Sequence, residues 1–180
     1  MQFDFKNDPI LNAAYDYWRS KCSGGVIPRR RDIEPTEIPR LLSNIQITEL
    51  VEGGKRIRYR LAGSAIIDAY GSELKEKYFD QVFTGERLKF AEENYRVMCE
   101  RKRPVLVVNR YHSARNVALV CHRLIMPLSD DGESVNQCFT AMSFEFPSKS
   151  EQPMSHWLEN SADFDVATSH CEAIEVDRES

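Results

Sequence analysis

A cysteine and a histidine stand side by side at Cys121-His122, the residue types that thiol proteases and acyl transferases pair to generate a thiolate nucleophile. The residues leading into them, Val117-Ala118-Leu119-Val120-Cys121, are apolar and read as part of a strand. Neighbours on a strand point to opposite faces, so Cys121 and His122 cannot serve each other. A distant partner such as His112 or His156 could serve Cys121, and Cys138 is a second candidate nucleophile. A thiol-dependent hydrolase is therefore the weakest of three readings the sequence leaves open. Arg56, Arg58 and Arg60 form a different row, three guanidinium groups at alternate positions. Such a row meets acids of the N-terminal helix, of a partner subunit or of an anionic ligand, and intramolecular or subunit pairing is the simpler account. The five cysteines (Cys22, Cys99, Cys121, Cys138, Cys171) show no CxxC spacing, and His156 and His170 lack a metal-ligand partner in sequence. No metal site is expected. Gly24-Gly25 and Gly53-Gly54 lack the flanking residues of a phosphate loop.

The elements that must position these groups fit one ordinary domain with extensions, at 180 residues and 42% hydrophobic. A chain of this length hides about 70% of its unfolded surface, so it needs no staples. Its longest apolar run is too short to span a bilayer, and residues 1–8 lack the apolar stretch of a signal peptide. A cytoplasmic protein with reduced thiols is expected, without membrane attachment. The net charge of −4 argues against nucleic-acid binding, and the clusters Arg29-Arg30-Arg31 and Arg101-Lys102-Arg103 read as solvated surface.

Asp8-Pro9 is a helix-start signal, and Leu11, Ala14, Tyr15, Trp18 and Cys22 recur at helical spacing up to the stop at Gly24-Gly25. Val26 to Glu34 is extended, and Pro35 opens a short helix towards Leu42 that Pro39 limits. Asn44 to Val51 puts Ile45 and Ile47 on one side and Gln46 and Thr48 on the other. The Gly53-Gly54 turn joins it to the arginine strand, residues 56–61. Short helices broken at Gly71 fill 64–82, and a longer one runs from about Glu86 to Lys102, with Leu88, Ala91, Tyr95 and Met98 on one face. Strands follow over 105–111, 117–126 and 135–146, the last two joined by the turn Ser129-Asp130-Asp131-Gly132. The order predicts an α+β fold, a five-stranded antiparallel sheet with helices on one face and an added N-terminal amphipathic helix. Three parts result: helix and extended linker (1–34), the sheet domain (35–147), and a loosely ordered, polar C-terminal tail (148–180) with a short helix near 155–159.

Separated signatures carry a family resemblance: Trp18; Gly24 to Pro35 with Pro28, Arg30 and Asp32; Ile38-Pro39-Arg40-Leu41-Leu42; Arg58-Tyr59-Arg60-Leu61-Ala62-Gly63; Gly71; and Pro127 to Gly132. Together they resemble the stand-alone bacterial PAS-domain proteins, over roughly residues 18–139. The resemblance implies a sensory or interaction module whose long helix and inner sheet face line a cavity. Carried onto this chain, that points to Phe90, Tyr95, Met98, Leu106, Leu124, Met142 and Phe144, an apolar stripe that equally reads as core. It also implies that Leu11, Ala14, Tyr15 and Trp18 contact a partner subunit or cover the sheet of their own chain. Haem-sensing relatives carry a histidine on the long helix, which is absent here; Tyr95 and Cys99 remain as axial candidates, more simply read as core. Flavin photochemistry needs a cysteine in the preceding loop, which reads Gln81-Val82-Phe83-Thr84-Gly85-Glu86. The expectation is a non-enzymatic cytoplasmic module, a homodimer acting on a separate output protein. It carries no predicted cofactor; an unidentified small, mostly apolar ligand or a protein partner occupies it, and the alternative is a pure dimerisation scaffold with a self-filled cavity.

Overall fold

The computed structural model describes residues 4–112, 118–145 and 170–173. Strand β1 (Ile45–Val51) turns at Gly53-Gly54 into β2 (Arg56–Ala62), as the glycine pair and the alternation on either side dictate. Three helices follow, α2 (Ser64–Tyr70), α3 (Phe79–Val82) and α4 (Gly85–Arg101), and then β3 (Val105–His112), β4 (Ala118–Leu128) and β5 (Gln137–Glu145). Gly71 adopts φ +73° as the left-handed C-cap that ends α2. Before all of these lies α1 (Pro9–Lys21), whose N-cap Asp8 accepts from the amides of Ile10 and Leu11, both at 2.9 Å.

The sheet is antiparallel throughout, in the order β2-β1-β5-β4-β3 with a further strand, β6 (His170–Ala173), at the β3 edge. Pairing of β1 with β5 joins the strands on either side of the helical insert into one surface, as the sequence predicts. The five expected strands are all present. The sixth, β6, comes from the tail that was expected to be loose, and pairs with β3. The rest of that tail, with its expected helix near 155–159, lies outside the described residues. Where one short helix was expected after Pro35, two 3-10 turns form instead, Pro35–Glu37 and Leu42–Asn44. Pro39 has no N–H to donate and splits the run.

Both sheet faces are covered, and two cores result. On the inner face, α2, α3 and α4 pack over Ile57, Tyr59, Val105, Val107, Cys121, Ile125, Cys138 and Met142. On the outer face, α1 packs Leu11, Ala14, Tyr15 and Trp18 against Ile45, Ile47, Leu106, Leu124, Met126 and Phe139. The central strands are therefore buried on both sides, with every residue from Cys121 to Ser129 buried. Among the described residues, no helix is long and apolar enough to cross a membrane.

Candidate functional site

The strand register lays out the inner face in rungs. Asn109, Cys121 and Phe144 lie abreast on β3, β4 and β5; Val107, Arg123 and Met142 form the next rung. Val105, Ile125, Thr140 and Gln46 make the third, and Cys138, Thr48 and Tyr59 form the fourth. A polar diagonal thus crosses a buried surface: Asn109, Arg123, Thr140, Gln46 and Thr48, all buried. Helix α4 closes over it with Ala91, Asn94, Tyr95 and Met98 on its buried side. Tyr95 is 1% exposed, and its hydroxyl accepts from Gln46 Nε2 at 3.3 Å and Thr48 Oγ1 at 3.1 Å. Arg123 Nη2 donates to the Tyr70 hydroxyl of α2 at 2.9 Å.

Burial sets the electrostatics of this layer. It pushes the Tyr59 and Tyr95 phenols above their ordinary range, and does the same to the Cys138 thiol against a smaller opposing influence of Thr48. These groups are protonated at neutral pH. Several buried polar atoms have no hydrogen-bond partner among the described residues: Gln46 Oε1, Asn109 Oδ1 and both amide atoms of Asn94. Buried polar atoms are almost always paired, so a cluster of unpaired ones needs an explanation. Turning the Gln46 amide over exchanges which of its atoms is orphaned and leaves one orphaned either way.

Five of the seven expected lining residues meet on this face. Tyr95, Met98 and Met142 are buried there, and Phe90 and Phe144 pack against the same cluster. Leu106 and Leu124 do not belong with them: both point to the outer face, under α1. The stripe Leu11, Ala14, Tyr15 and Trp18 is taken up by its own sheet, each residue no more than 5% exposed, which is the second of the two uses the sequence left open. Cys121 faces the inner core while His122 faces outward near Glu145 Oε1 at 3.4 Å, so the two are on opposite faces as expected. Cys22 and Cys99 are partly buried, and burial lifts each thiol to about 11. His156 and the side chains of His112, His170 and Cys171 lie outside the described residues. Among the described residues, no group of three His, Cys, Asp or Glu side chains could hold a metal.

The arginine row pairs with acids of its own chain. Arg56 is bidentate on Asp80 (2.8 and 2.9 Å) and stacks 3.8 Å over Tyr78, Arg58 meets Glu49 at 2.6 Å, and Arg60 meets Glu76 at 3.0 Å.

Three of the signatures scattered along the sequence, Trp18, the Gly24 to Pro35 segment and the Pro127 to Gly132 turn, meet near the β4–β5 turn. Trp18 Nε1 donates to the Pro127 carbonyl at 2.8 Å, and Ser129 N donates to the Pro28 carbonyl at 2.9 Å. Within the segment expected to be extended, Arg30–Asp32 forms a 3-10 turn that Asp32 caps by accepting from Arg29 N at 2.8 Å, and Arg30 Nη1 donates to the Ile33 carbonyl at 3.1 Å. Asp131 accepts from Ser129 Oγ and from the amides of Glu133 and Ser134, which holds its carboxyl well below the usual range. On the inner face of the β2 edge strand Tyr59 stacks on Phe79, centroids 4.8 Å apart. These residues build the fold, with Pro35 opening the 3-10 turn that leads to β1.

Sequence reasoning missed the polar members: Gln46, Asn94, Asn109, Arg123 and Thr140. A usable signal existed for two of them. Arg123, beside His122, interrupts the apolar residues between Leu119 and Met126, and Asn94 sits among Ala91, Tyr95 and Met98 on an apolar helix face.

The family model of the PAS domain matches residues 6–143. No curated protein matches this chain in sequence. Among solved structures, a Rhodobacter sphaeroides LOV protein aligns at 11% identity and TM-score 0.46, covering 65% of this chain and 71% of that one. Another RsLOV structure aligns at 12% identity and TM-score 0.47, with 62% of this chain matched to 65% of that one, just under two thirds of its length. A light-oxygen-voltage domain studied with a flavin analogue aligns at 15% identity and TM-score 0.45, covering 63% of this chain and 84% of the other. These likenesses concern the fold alone.

Proposed function

The chain belongs to the PAS domain family, and on that premise we propose that it is a non-enzymatic cytoplasmic sensory module that holds a small molecule between α4 and the inner sheet face. The observation that carries this reading is the set of buried polar atoms there, on Gln46, Asn94 and Asn109, that have no partner among the described residues. A hydrophobic core gains nothing from such atoms, since each costs about 1–3 kcal/mol when left unpaired. An occupant that pairs with them recovers that cost.

Occupancy is passed on through the sheet. Leu124 under α1 stands between Arg123 and Ile125, which face the helices on the other side, so any shift of β4 is felt by both layers. The bias transmitted equals the ligand's differential affinity for the two arrangements of α1. A homodimer and a separate output protein complete the proposal. Their contacts use the outward side of α1, because its apolar stripe is covered. The protonated, buried Cys138 supports a role without thiol catalysis.

A self-filled scaffold is the second reading. It is favoured by the aromatic packing within the inner core, where Phe79 meets Tyr95 at 5.1 Å, Tyr59 at 4.8 Å and Phe83 at 5.5 Å. Native mass spectrometry of freshly purified protein separates the two and reports subunit number as well. The sensor reading expects a small-molecule adduct that leaves on denaturation. The same compound, re-added at about 100 times its Kd, should stabilise the folded state by about 2.7 kcal/mol. Apo mass in every preparation, with no thermal shift across a metabolite panel, establishes the scaffold instead.

A further inference from the structure

Asn94 differs from Gln46 and Asn109 in that neither end of its carboxamide has a partner among the described residues. It is 1% exposed, on the buried side of α4 between Ala91 and Met98, and both Nδ2 and Oδ1 are unpaired. No turning of the amide cures this, because donor and acceptor are equally idle. Its sequence neighbour Tyr95 is spent on Gln46 and Thr48, so Asn94 is not a spare member of that network. A side-chain carboxamide presents one donor and one acceptor side by side in a plane. Its complement is a group that presents an acceptor and a donor at the same spacing, the geometry by which Asn and Gln read a nucleobase edge. Gln46 Oε1 and Asn109 Oδ1, buried on the facing sheet, add two acceptors that call for further N–H or O–H donors.

We propose that Asn94 is the recognition fork of the internal site, and that its ligand is a planar, uncharged molecule carrying an N–H and a C=O in cis, as in lactams, cyclic ureides and nucleobase-like heterocycles. This rests on the reading that the inner face holds a small molecule, and it replaces the expectation of a mostly apolar ligand with one defined by hydrogen bonds. Arg123 and the Tyr70 hydroxyl border the same face and add polarity to it.

The test titrates three probes of similar size into ¹⁵N-labelled full-length protein: 2-pyridone, N-methyl-2-pyridone and toluene. Pyridone should bind and shift the Asn94 side-chain NH₂ resonances, and the N-methyl compound should bind about tenfold more weakly, having lost its donor and clashing with the fork. In Asn94→Leu, near in volume, that preference should vanish while toluene binding is kept or improved. Equal binding of the two pyridones to the wild type overturns the proposal, as does a preference that survives in Asn94→Leu. Binding of toluene alone overturns it too, yet leaves the internal site standing as an apolar one. Failure of all three probes removes the internal small-molecule site itself. Should Asn94→Leu not fold, the wild-type comparison of the two pyridones still decides.

Discussion

The backbone carbonyls of Leu42 and Ser43 decide what position 63 can be. A Cβ built on Gly63 would lie inside the contact distance of both oxygens, and these are backbone atoms with no freedom to swing aside. The Gly63 amide also donates to the Ile45 carbonyl at 2.8 Å, locking the corner where β2 hands over to α2. Gly63→Ala should therefore cost about 3 kcal/mol, read as a fall in the urea midpoint. Gly71→Ala should cost only about 1 kcal/mol, because its demand is the left-handed φ of a helix cap and not space. Equal costs would mean that the close approach is not real. Thiol chemistry is the other residue-scale matter. With pKa values lifted to about 11 by burial, the Cys22 and Cys99 thiols are far less ionised at pH 7.5 than a free cysteine. Iodoacetamide should leave the peptides containing Cys22, Cys99 and Cys138 unmodified in native protein and label all three in guanidinium; rapid native labelling of Cys138 would revive a nucleophilic role. What the sequence made legible at this scale was residue type. Gly63 was visible as a motif member, but the carbonyls that exclude a side chain come from a turn some twenty residues earlier, and no spacing rule reaches them.

Among the elements, α1 is the one whose role the sequence left open and the packing assigns. Its stripe seals the outer face, and Trp18 both fills that core and donates to Pro127. Trp18→Ala should cost about 3–5 kcal/mol, while Asp8→Ala, which removes only the cap on two amides, should cost about 1 kcal/mol. Urea melts of the two variants check the ranking, and a Trp18→Ala loss no larger than the cap's would show α1 to be weakly docked. The strands and helices were legible because their apolar periods are strong, and the Gly53-Gly54 and Ser129 to Gly132 turns bounded them. Leu106 and Leu124 were misplaced for a definite reason. Val105 to Val108 and Leu124 to Met126 are apolar without a break, because strands buried on both faces need no alternation to fix a side. The reverse error hid Gln46 and Thr48: polar alternation with Ile45 and Ile47 is usually read as a solvent face, and here that face lies under α4. Strand β6 escaped since four residues, His170 to Ala173, carry no period, and their pairing with β3 is set by contacts distant in sequence.

At the scale of the whole molecule, one strand serves two layers. On β4, Arg123 faces the inner site while His122, 3% exposed, faces outward towards the α1 side. Among the described residues, groups on three elements act on His122: Glu145 of β5 at 3.4 Å, Asp8 at the start of α1, and Arg110 of β3. Burial is the largest effect and lowers the imidazole's pKa; Glu145 and Asp8 raise it, Arg110 lowers it, and the net direction is down. A histidine whose folded pKa lies below its unfolded value, about 6.5, binds protons more readily in the unfolded chain. Its neutral form fits the folded state, so stability is fully present above the unfolded value and declines as pH falls below it. Asp131 runs on a separate range: its depressed carboxyl gives stability that is lost only below about 3.8, the ordinary Asp value, and so does not confuse the result. The urea midpoint should hold steady from pH 8 to 7 and drop between pH 6.5 and 5.5, and His122→Gln should flatten that drop while leaving the acid limb below pH 4 in place. Because His122 and Arg123 share one backbone, protonation that loosens the α1 side should also weaken any ligand held on the inner face, by the same factor with which that ligand resists protonation. A midpoint falling as steeply in His122→Gln as in the wild type would locate the pH response elsewhere and leave β4 as a scaffold strand with no coupling between its faces.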